Sequence, residues 1–277
     1  MISGRTDLIA HLGYPTESFT APMIYNPWFA HRGIDAVVVP MGVRAEHYAG
    51  FLRPLFSLSN IRGALVTMPH KVTTAGLLDE VSVAVKIARS CNAILRRPDG
   101  SLLGDMFDGV GFTRAAKAKG FDFAGADCLI VGAGGVGSAI AAAIAAEGSG
   151  SISLYDIRDG AAEGLAARLR RHYPGLDIRL GGNDPAGCRL VVNATPLGMA
   201  AGDPVPFDPE RLSPGALVGD VVLGAGVTPL LQAAARRGCR ILVGTDMLFE
   251  QIPAYLDFFG YGRATVDELR ALAKISY

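Results

Sequence analysis

The sequence predicts an α/β protein of two domains, with a doubly wound parallel sheet in the second. Three observations carry that prediction. Leu129-Ile-Val-Gly-Ala-Gly-Gly-Val-Gly-Ser138 is an apolar strand that runs into a glycine turn and opens an alanine-rich helix. Short β-branched runs alternate with segments of helical spacing along nearly the whole chain, the pattern of helices laid on a parallel sheet. The chain has 277 residues, 50% apolar and 19% charged, enough apolar material for one large or two medium cores.

The elements of the first domain follow in order. Residues 7–12 read as a strand before a Gly-Tyr-Pro turn, and 22–32 have helical spacing. Residues 36–41 are a β-branched run suited to a buried parallel strand, and 45–55 form a helix. Residues 63–68 make a strand that stops at Pro69, and 72–78 begin the next helix. A hairpin follows, 90–96 and 101–104, around a Pro-Asp-Gly turn.

A connecting helix at 110–119 leads into the second domain. After the glycine turn come a strand at 151–155, a helix at 160–172, and strands at 177–180, 190–194 and 217–223. A helix at 228–237 and a strand at 240–243 complete the alternation. Residues 247–277 read as helical and are long enough to return to the first domain. The expected domains are therefore 1–107 with 246–277, and 108–245.

Gly132, Gly134 and Gly137 fit G-x-G-x-x-G, with Gly135 and Val136 between them. The first glycine permits a tight turn, the second a close backbone approach to a pyrophosphate, and the third close helix–strand packing. Free N–H groups at the helix start then face phosphates. The strand at 151–155 ends at Asp156, about 20 residues on, where an acidic side chain takes ribose hydroxyls. The second domain thus reads as a Rossmann-type dinucleotide-binding domain.

Formal net charge is zero, which argues against nucleic acid or an anionic membrane as partner. Arg168, Arg170, Arg171 and His172 read as a solvated helix end. Cys91, Cys128, Cys188 and Cys239 lie far apart, without metal-ligand spacing, and read as reduced thiols of a cytoplasmic protein. The start of the chain lacks the pattern of a signal peptide. The apolar helix at 139–146 is too short to span a bilayer. His11, His31, His47 and His172 have no metal spacing and carry little functional weight.

Val66-Thr-Met-Pro-His-Lys71 ends a strand and begins a helix, where side chains of parallel strands meet the functional crevice. Lys71 there is a candidate proton donor and acceptor, although a solvated helix-end lysine fits the pattern too. Asp105 and Asp108 lie in a glycine-rich crossing, and capping of the next helix suits at least one of them. Asn193-Ala-Thr-Pro-Leu-Gly-Met199 closes a strand, as a nicotinamide-ribose loop or a plain turn.

These pieces resemble the shikimate/quinate dehydrogenase family, in its order and over nearly the whole chain. They are Gly13-x-Pro15, Pro22-x-x-x-Asn26, Val66-Thr-x-Pro-His-Lys71, Asn92, Asp108-Gly-x-Gly-Phe112, Gly132-Ala-Gly-Gly135, Asn193-Ala-Thr-Pro-x-Gly-Met199, Asp220-Val-Val222, Thr228-Pro-Leu-Leu231 and Gly244-x-x-Met-Leu-x-x-Gln251. The resemblance implies that Lys71 and Asp108 are the catalytic pair and that Thr67, Asn92 and Gln251 face substrate. With it, Thr195, Pro196, Gly244 and Met247 join Asn193 on the cofactor side. The implied chemistry is reversible hydride transfer between a ring alcohol and a nicotinamide cofactor.

Departures from the family pattern fall in the substrate pocket. Phe19 and Ala21 stand where two carboxylate-binding serines are usual, with Ser18 and Thr20 as neighbouring hydroxyls. Tyr25 replaces a histidine, Leu65 an asparagine, Ala93 a threonine, Leu223 a tyrosine, and Met106-Phe107 an Asn-Thr pair. The shared direction is loss of polar groups, so the expected substrate is less polar than shikimate. An ordinary shikimate or quinate dehydrogenase, or a non-catalytic nucleotide-binding regulator, are the competing readings. In Tyr155-Asp-Ile-Arg-Asp159, Asp156 suits free ribose hydroxyls and repels a 2′-phosphate, so NAD is expected, with Arg158 as the residue through which NADP would enter. The expected partner is a small-molecule substrate, on a monomer or homodimer.

Overall fold

The computed structural model of the protein describes residues 2–223 and 226–275. The chain separates into two compact units, Met1–Val85 with Arg89–Phe107 and Ile252–Tyr277, and Lys86–Ala88 with Asp108–Gln251. Each carries one six-stranded sheet.

The first unit contains β1 (Asp7–Gly13), α1 (Ala21–Arg32), β2 (Ala36–Gly42), α2 (Ala45–Leu55), β3 (Ile61–Val66), α3 (Lys71–Thr74) and β4 (Glu80–Val81). In α4 (Val83–Ala88) the chain passes to the second unit for Lys86–Ala88. It returns as the hairpin β5 (Ala93–Arg96) and β6 (Leu102–Asp105). The strand order is β2-β1-β3-β5-β6-β4, with β1 parallel to β2 and β3, and β5 antiparallel to β3 and β6. Asn26 ties α1 to β2 by donating to the Val38 carbonyl and accepting its N–H. Trp28 and Phe29 are buried on the inner side of α1.

The second unit is the doubly wound sheet. It runs α5 (Asp108–Ala118), β7 (Asp127–Val131), α6 (Gly135–Ala146), β8 (Ser151–Tyr155), α7 (Ala161–His172), β9 (Asp177–Leu180), β10 (Leu190–Asn193), β11 (Leu217–Asp220), α8 (Pro229–Arg236), β12 (Arg240–Leu242) and the start of α9 (Gly244–Phe259). All strands are parallel, in the order β12-β11-β10-β7-β8-β9. Chain order reverses between β7 and β10, which opens a ligand crevice at the carboxyl ends of those two strands. Successive strand residues enter opposite layers: Ile130, Leu190 and Leu217 join one apolar cluster, and Leu129, Val191 and Val218 the other. Thr228 caps α8 by accepting the Leu231 N–H, with Pro229 in the first turn.

The division between the units falls inside α9, at Gln251–Ile252, beyond the expected boundary at 245/246. The end of α9 and α10 (Val266–Leu272) belong to the first unit, where the Lys274 N–H donates to the Met23 carbonyl and Tyr261 packs on Phe29. The expected helix over 247–277 is thus two helices with a break between them, and Ser276 and Tyr277 lie outside the described residues.

Other elements also differ from expectation. The strand expected to run to 223 ends at Asp220, whose carboxylate draws in the Val222 N–H and turns the chain. The helix expected over 72–78 is only Lys71–Thr74, because a turn with Leu77 donating to Thr74 replaces its continuation. Neither β4 and α4 nor the 3₁₀ turn Pro209–Arg211 is anticipated by periodicity. The arginines at the end of α7 are less free than expected: Arg168 donates to the Ile87 carbonyl and Arg170 to Ile178. All four cysteines are free and buried. Among the described residues no helix is long and apolar enough to cross a membrane.

Candidate active site

The residues expected on the cofactor side lie in the second unit. Gly132 follows β7 with φ +105°, a conformation that a side chain would strain, and a Cβ there would sit 2.6 Å from the Ala194 carbonyl. A Cβ at Gly137 would collide with the Gly132 carbonyl, so α6 presses directly against the turn. Gly134, the N-cap of α6, has only the Arg158 guanidinium nearby at 3.9 Å, which leaves its backbone open to a ligand. These features fit a dinucleotide phosphate group.

A cavity of about 590 Å³ opens at this turn. Of the residues expected on the cofactor side, Gly132, Gly134, Gly135, Val136, Asp156, Arg158, Thr195 and Pro196 line it. Gly137, Asn193, Gly244 and Met247 do not line it. Gly137 is a packing position, and Met247 lies in the apolar core with Phe112. A Cβ at Gly244 would stand 2.5 Å from the Val222 carbonyl, so the start of α9 passes close to that segment. Asn193 is fully buried; its amide donates to Leu197 and Asp220 while its Oδ1 accepts the Thr195 N–H and hydroxyl. It shapes the loop that carries Thr195 and Pro196. Asp220, raised by burial, also accepts from Thr228 and holds the neighbouring strand end to the same network. Tyr155, Ile157 and Leu197 line the cavity without having been expected.

Asp156 faces inward. Its carboxylate accepts the Ala133 N–H at 2.7 Å and the Arg158 N–H at 2.9 Å. It also takes two bonds from the Arg158 guanidinium at 2.9 and 2.8 Å. That pairing, first of all, holds its carboxyl down at about 2. Asp156 therefore fixes the glycine turn as well as marking the end of β8.

Thr67 and Asn92, two of the residues expected to face substrate, and Lys71 lie in the first unit. The Thr67 N–H donates to Leu12, the His70 N–H to Thr67, and the Cys91 N–H to the Lys71 carbonyl. Asn92 accepts the Val66 N–H on its carbonyl and the Phe107 N–H on its Oδ1. These bonds gather Thr67, Lys71 and Asn92 at the carboxyl end of β3 and set the chain's approach to Asp108. His70 fixes the turn: its Nε2 meets the Val43 carbonyl at 2.7 Å and its ring stacks on Tyr48 at 3.9 Å.

Phe19 is buried, with its ring 4.1 Å from that of His11. A Cβ on Gly13 would lie 2.5 Å from Thr67 Cγ2 and 2.6 Å from Phe19 Cζ, so Phe19 sits over Gly13 beside Thr67. Ser18 is exposed, and Ala21 opens α1 half-buried. Leu65 is buried in β3. Phe107 turns toward Tyr255 and Phe258, at 4.8 and 5.4 Å. Asp105 does not cap α5; it accepts from the Ser82 hydroxyl and the Met106 N–H.

In the second unit, Asp108 is buried at the first position of α5. Gln251 is buried there too, its Cβ close to Gly111, and its Oε1 has no hydrogen-bond partner among the described residues.

Sequence reasoning set His11 aside for want of metal spacing. It is the one polar residue in Leu8-Ile9-Ala10-His11-Leu12, a strand of a parallel pair.

A model of the shikimate dehydrogenase substrate binding domain matches residues 12–94. A shikimate dehydrogenase (NADP(+)) of Rubrobacter xylanophilus is 38% identical over 259 residues, covering 90% of this chain and 89% of the relative. The shikimate 5-dehydrogenase of Listeria monocytogenes, solved in complex with shikimate and NAD, matches with TM-score 0.90 at 28% identity, covering 98% of this chain and 97% of that one. The quinate dehydrogenase of Corynebacterium glutamicum, in complex with NAD, matches with TM-score 0.85 at 28% identity, covering 96% and 98%. The chain belongs to the shikimate dehydrogenase family, NAD(P)-dependent oxidoreductases of the shikimate/quinate dehydrogenase type.

Proposed function

We propose that this chain oxidises and re-forms a cyclic alcohol less polar than shikimate, with Lys71 and Asp108 as its catalytic pair. A nicotinamide cofactor, when bound, would supply or accept the hydride. Lys71 takes the hydroxyl proton as the alcohol is oxidised and returns it to the developing alkoxide in reduction. Asp108 steadies the lysine through a charge-assisted hydrogen bond. Thr67, Asn92 and Gln251 orient the ring, and positioning of the reacting carbon contributes much of the rate. The main-chain bonds that gather Thr67, Lys71 and Asn92 support these roles, as does the buried Gln251 Oε1, which has no partner among the described residues.

The observation that carries the shifted range is Phe19, an apolar ring over Gly13 in the place of a carboxylate-binding serine. Each lost hydrogen bond to a charged group is worth about 1.5–3 kcal/mol, so loss of two weakens shikimate by at least about 100-fold. A second reading, an ordinary shikimate dehydrogenase, draws support from the names of the relatives and from the shikimate bound in the Listeria enzyme.

For the cofactor, NAD over NADP is the proposal, because Asp156 would oppose a 2′-phosphate. The NADP(+) in the relatives' names pulls the other way, and Arg158 is the residue that would serve it. Steady-state kinetics with shikimate and less polar ring alcohols, each with both cofactors and a Lys71→Ala control, tests the proposal. Efficient Lys71-dependent turnover of shikimate would overturn it.

A further inference from the structure

The register of the first unit's sheet puts His11 in line with two altered pocket positions. His11 pairs with Pro40 on one side and Leu65 on the other, and Leu65 pairs on with Ala93. Paired residues on neighbouring strands share a sheet face. Leu65 and Ala93 are where the family resemblance expects an asparagine and a threonine. This row has therefore lost two polar groups and carries a different one, a strand away.

His11 is 9% exposed, and its Nδ1 is buried without a partner among the described residues. The Phe19 ring packs against the imidazole, tilted by 31°, with the ring centroids 4.1 Å apart. Burial, and then the charge of Lys71, push the imidazole down to about 4. At neutral pH it is an uncharged ring with one donor and one acceptor. Such a group suits a hydroxyl or a carbonyl and gives a carboxylate no counter-charge. Burying an imidazole nitrogen unpaired is costly, and packing alone would be served better by the leucine or valine of an ordinary strand.

We propose that His11 is a specificity residue that hydrogen-bonds a hydroxyl or carbonyl of an uncharged, hydroxylated ring substrate. The inference rests on the shifted substrate range and names its chemical class: neutral cyclic polyols and their ketones, without a carboxylate. Hydride transfer itself is unchanged.

The test compares shikimate with its uncharged methyl ester and with myo-inositol, using the intact protein with its preferred cofactor. Wild type is expected to favour the ester over shikimate at least about 10-fold in kcat/KM. His11→Leu should lower kcat/KM for the ester about 10-fold, mostly through KM, with cofactor binding by fluorescence unchanged and part of the loss recovered in His11→Gln. Independently of any variant, the imidazole ¹⁵N resonances of His11 should move when methyl shikimate is titrated into wild type. Preference for shikimate in wild type would overturn the shifted range. Preference for the ester with full efficiency in folded His11→Leu, or unmoved imidazole resonances, would overturn the role of His11 and leave the shifted range standing. Turnover of neither uncharged probe would overturn the substrate class.

Discussion

Replacing Phe19 and Ala21 together by serine should open the pocket to shikimate. Ala21 is half-buried at the start of α1, a position where serine is tolerated, so that change carries little structural cost. Phe19 is different. Its ring packs on His11 and covers Gly13, and truncation removes most of a buried aromatic side chain. The cost is about 3 kcal/mol, at the low end for such a change because water can enter beside the new hydroxyl. In a chain of this size that lowers the Tm by about 6–12 °C, which leaves a folded protein at 20 °C. Against this, two hydroxyls on one carboxylate gain about 3–6 kcal/mol, with the lower end favoured because they share a partner. Shikimate kcat/KM should rise by about 100-fold or more. A thermal melt, cofactor fluorescence and steady-state kinetics on the double variant check each quantity. A folded, cofactor-binding variant with unchanged shikimate kcat/KM would refute the view that Phe19 and Ala21 exclude the carboxylate.

Three further outcomes follow from the same geometry. Gly137→Ala should cost about 1–3 kcal/mol and weaken the cofactor at least about 10-fold, because the added Cβ meets the Gly132 carbonyl, which is backbone and cannot yield; calorimetric cofactor titration reads this. Arg158→Ala should cut kcat/KM with NADP about 10-fold or more while that with NAD stays within about 3-fold, since the guanidinium is lost and the Asp156 carboxylate is released; parallel loss with both cofactors would contradict it. His11 binds its proton near 4 in the folded chain and near 6.5 once unfolded, so the unfolded state holds more protons between those values. Stability should therefore fall as pH drops from 6.5 toward 4, by about 2 kcal/mol at pH 5, and His11→Asn should lack that slope in urea midpoints.

What could be read from residues alone depended on how local the signal was. The second unit was legible because each buried parallel strand is an apolar run ended by glycine or a polar residue, and because the glycine turn needs particular residues at particular places. The Lys71 and Asp108 motifs were equally local. The two-residue β4 and the short α4 carry too few side chains for a period, and the Ser82 cap was the only available signal for α4. The contrast between Thr195 and Asn193 was not legible either: both sit in one motif, yet one lines the cavity and the other spends its amide on Leu197, Thr195 and Asp220. That division depends on β11, far along the chain. The surroundings of His11 were not legible for a similar reason, since its neighbours Phe19, Leu65 and Lys71 come from three separate segments.

The central claim is that a Lys71-dependent dehydrogenase persists here with a pocket turned away from shikimate. Steady-state oxidation of shikimate and of quinate, each with NAD and with NADP beside Lys71→Ala, tests it most directly. The account predicts negligible turnover of both acids while NAD still binds, and Lys71-dependent turnover of an uncharged ring alcohol. Robust Lys71-dependent oxidation of shikimate would contradict it and mean that other groups have replaced the lost carboxylate contacts.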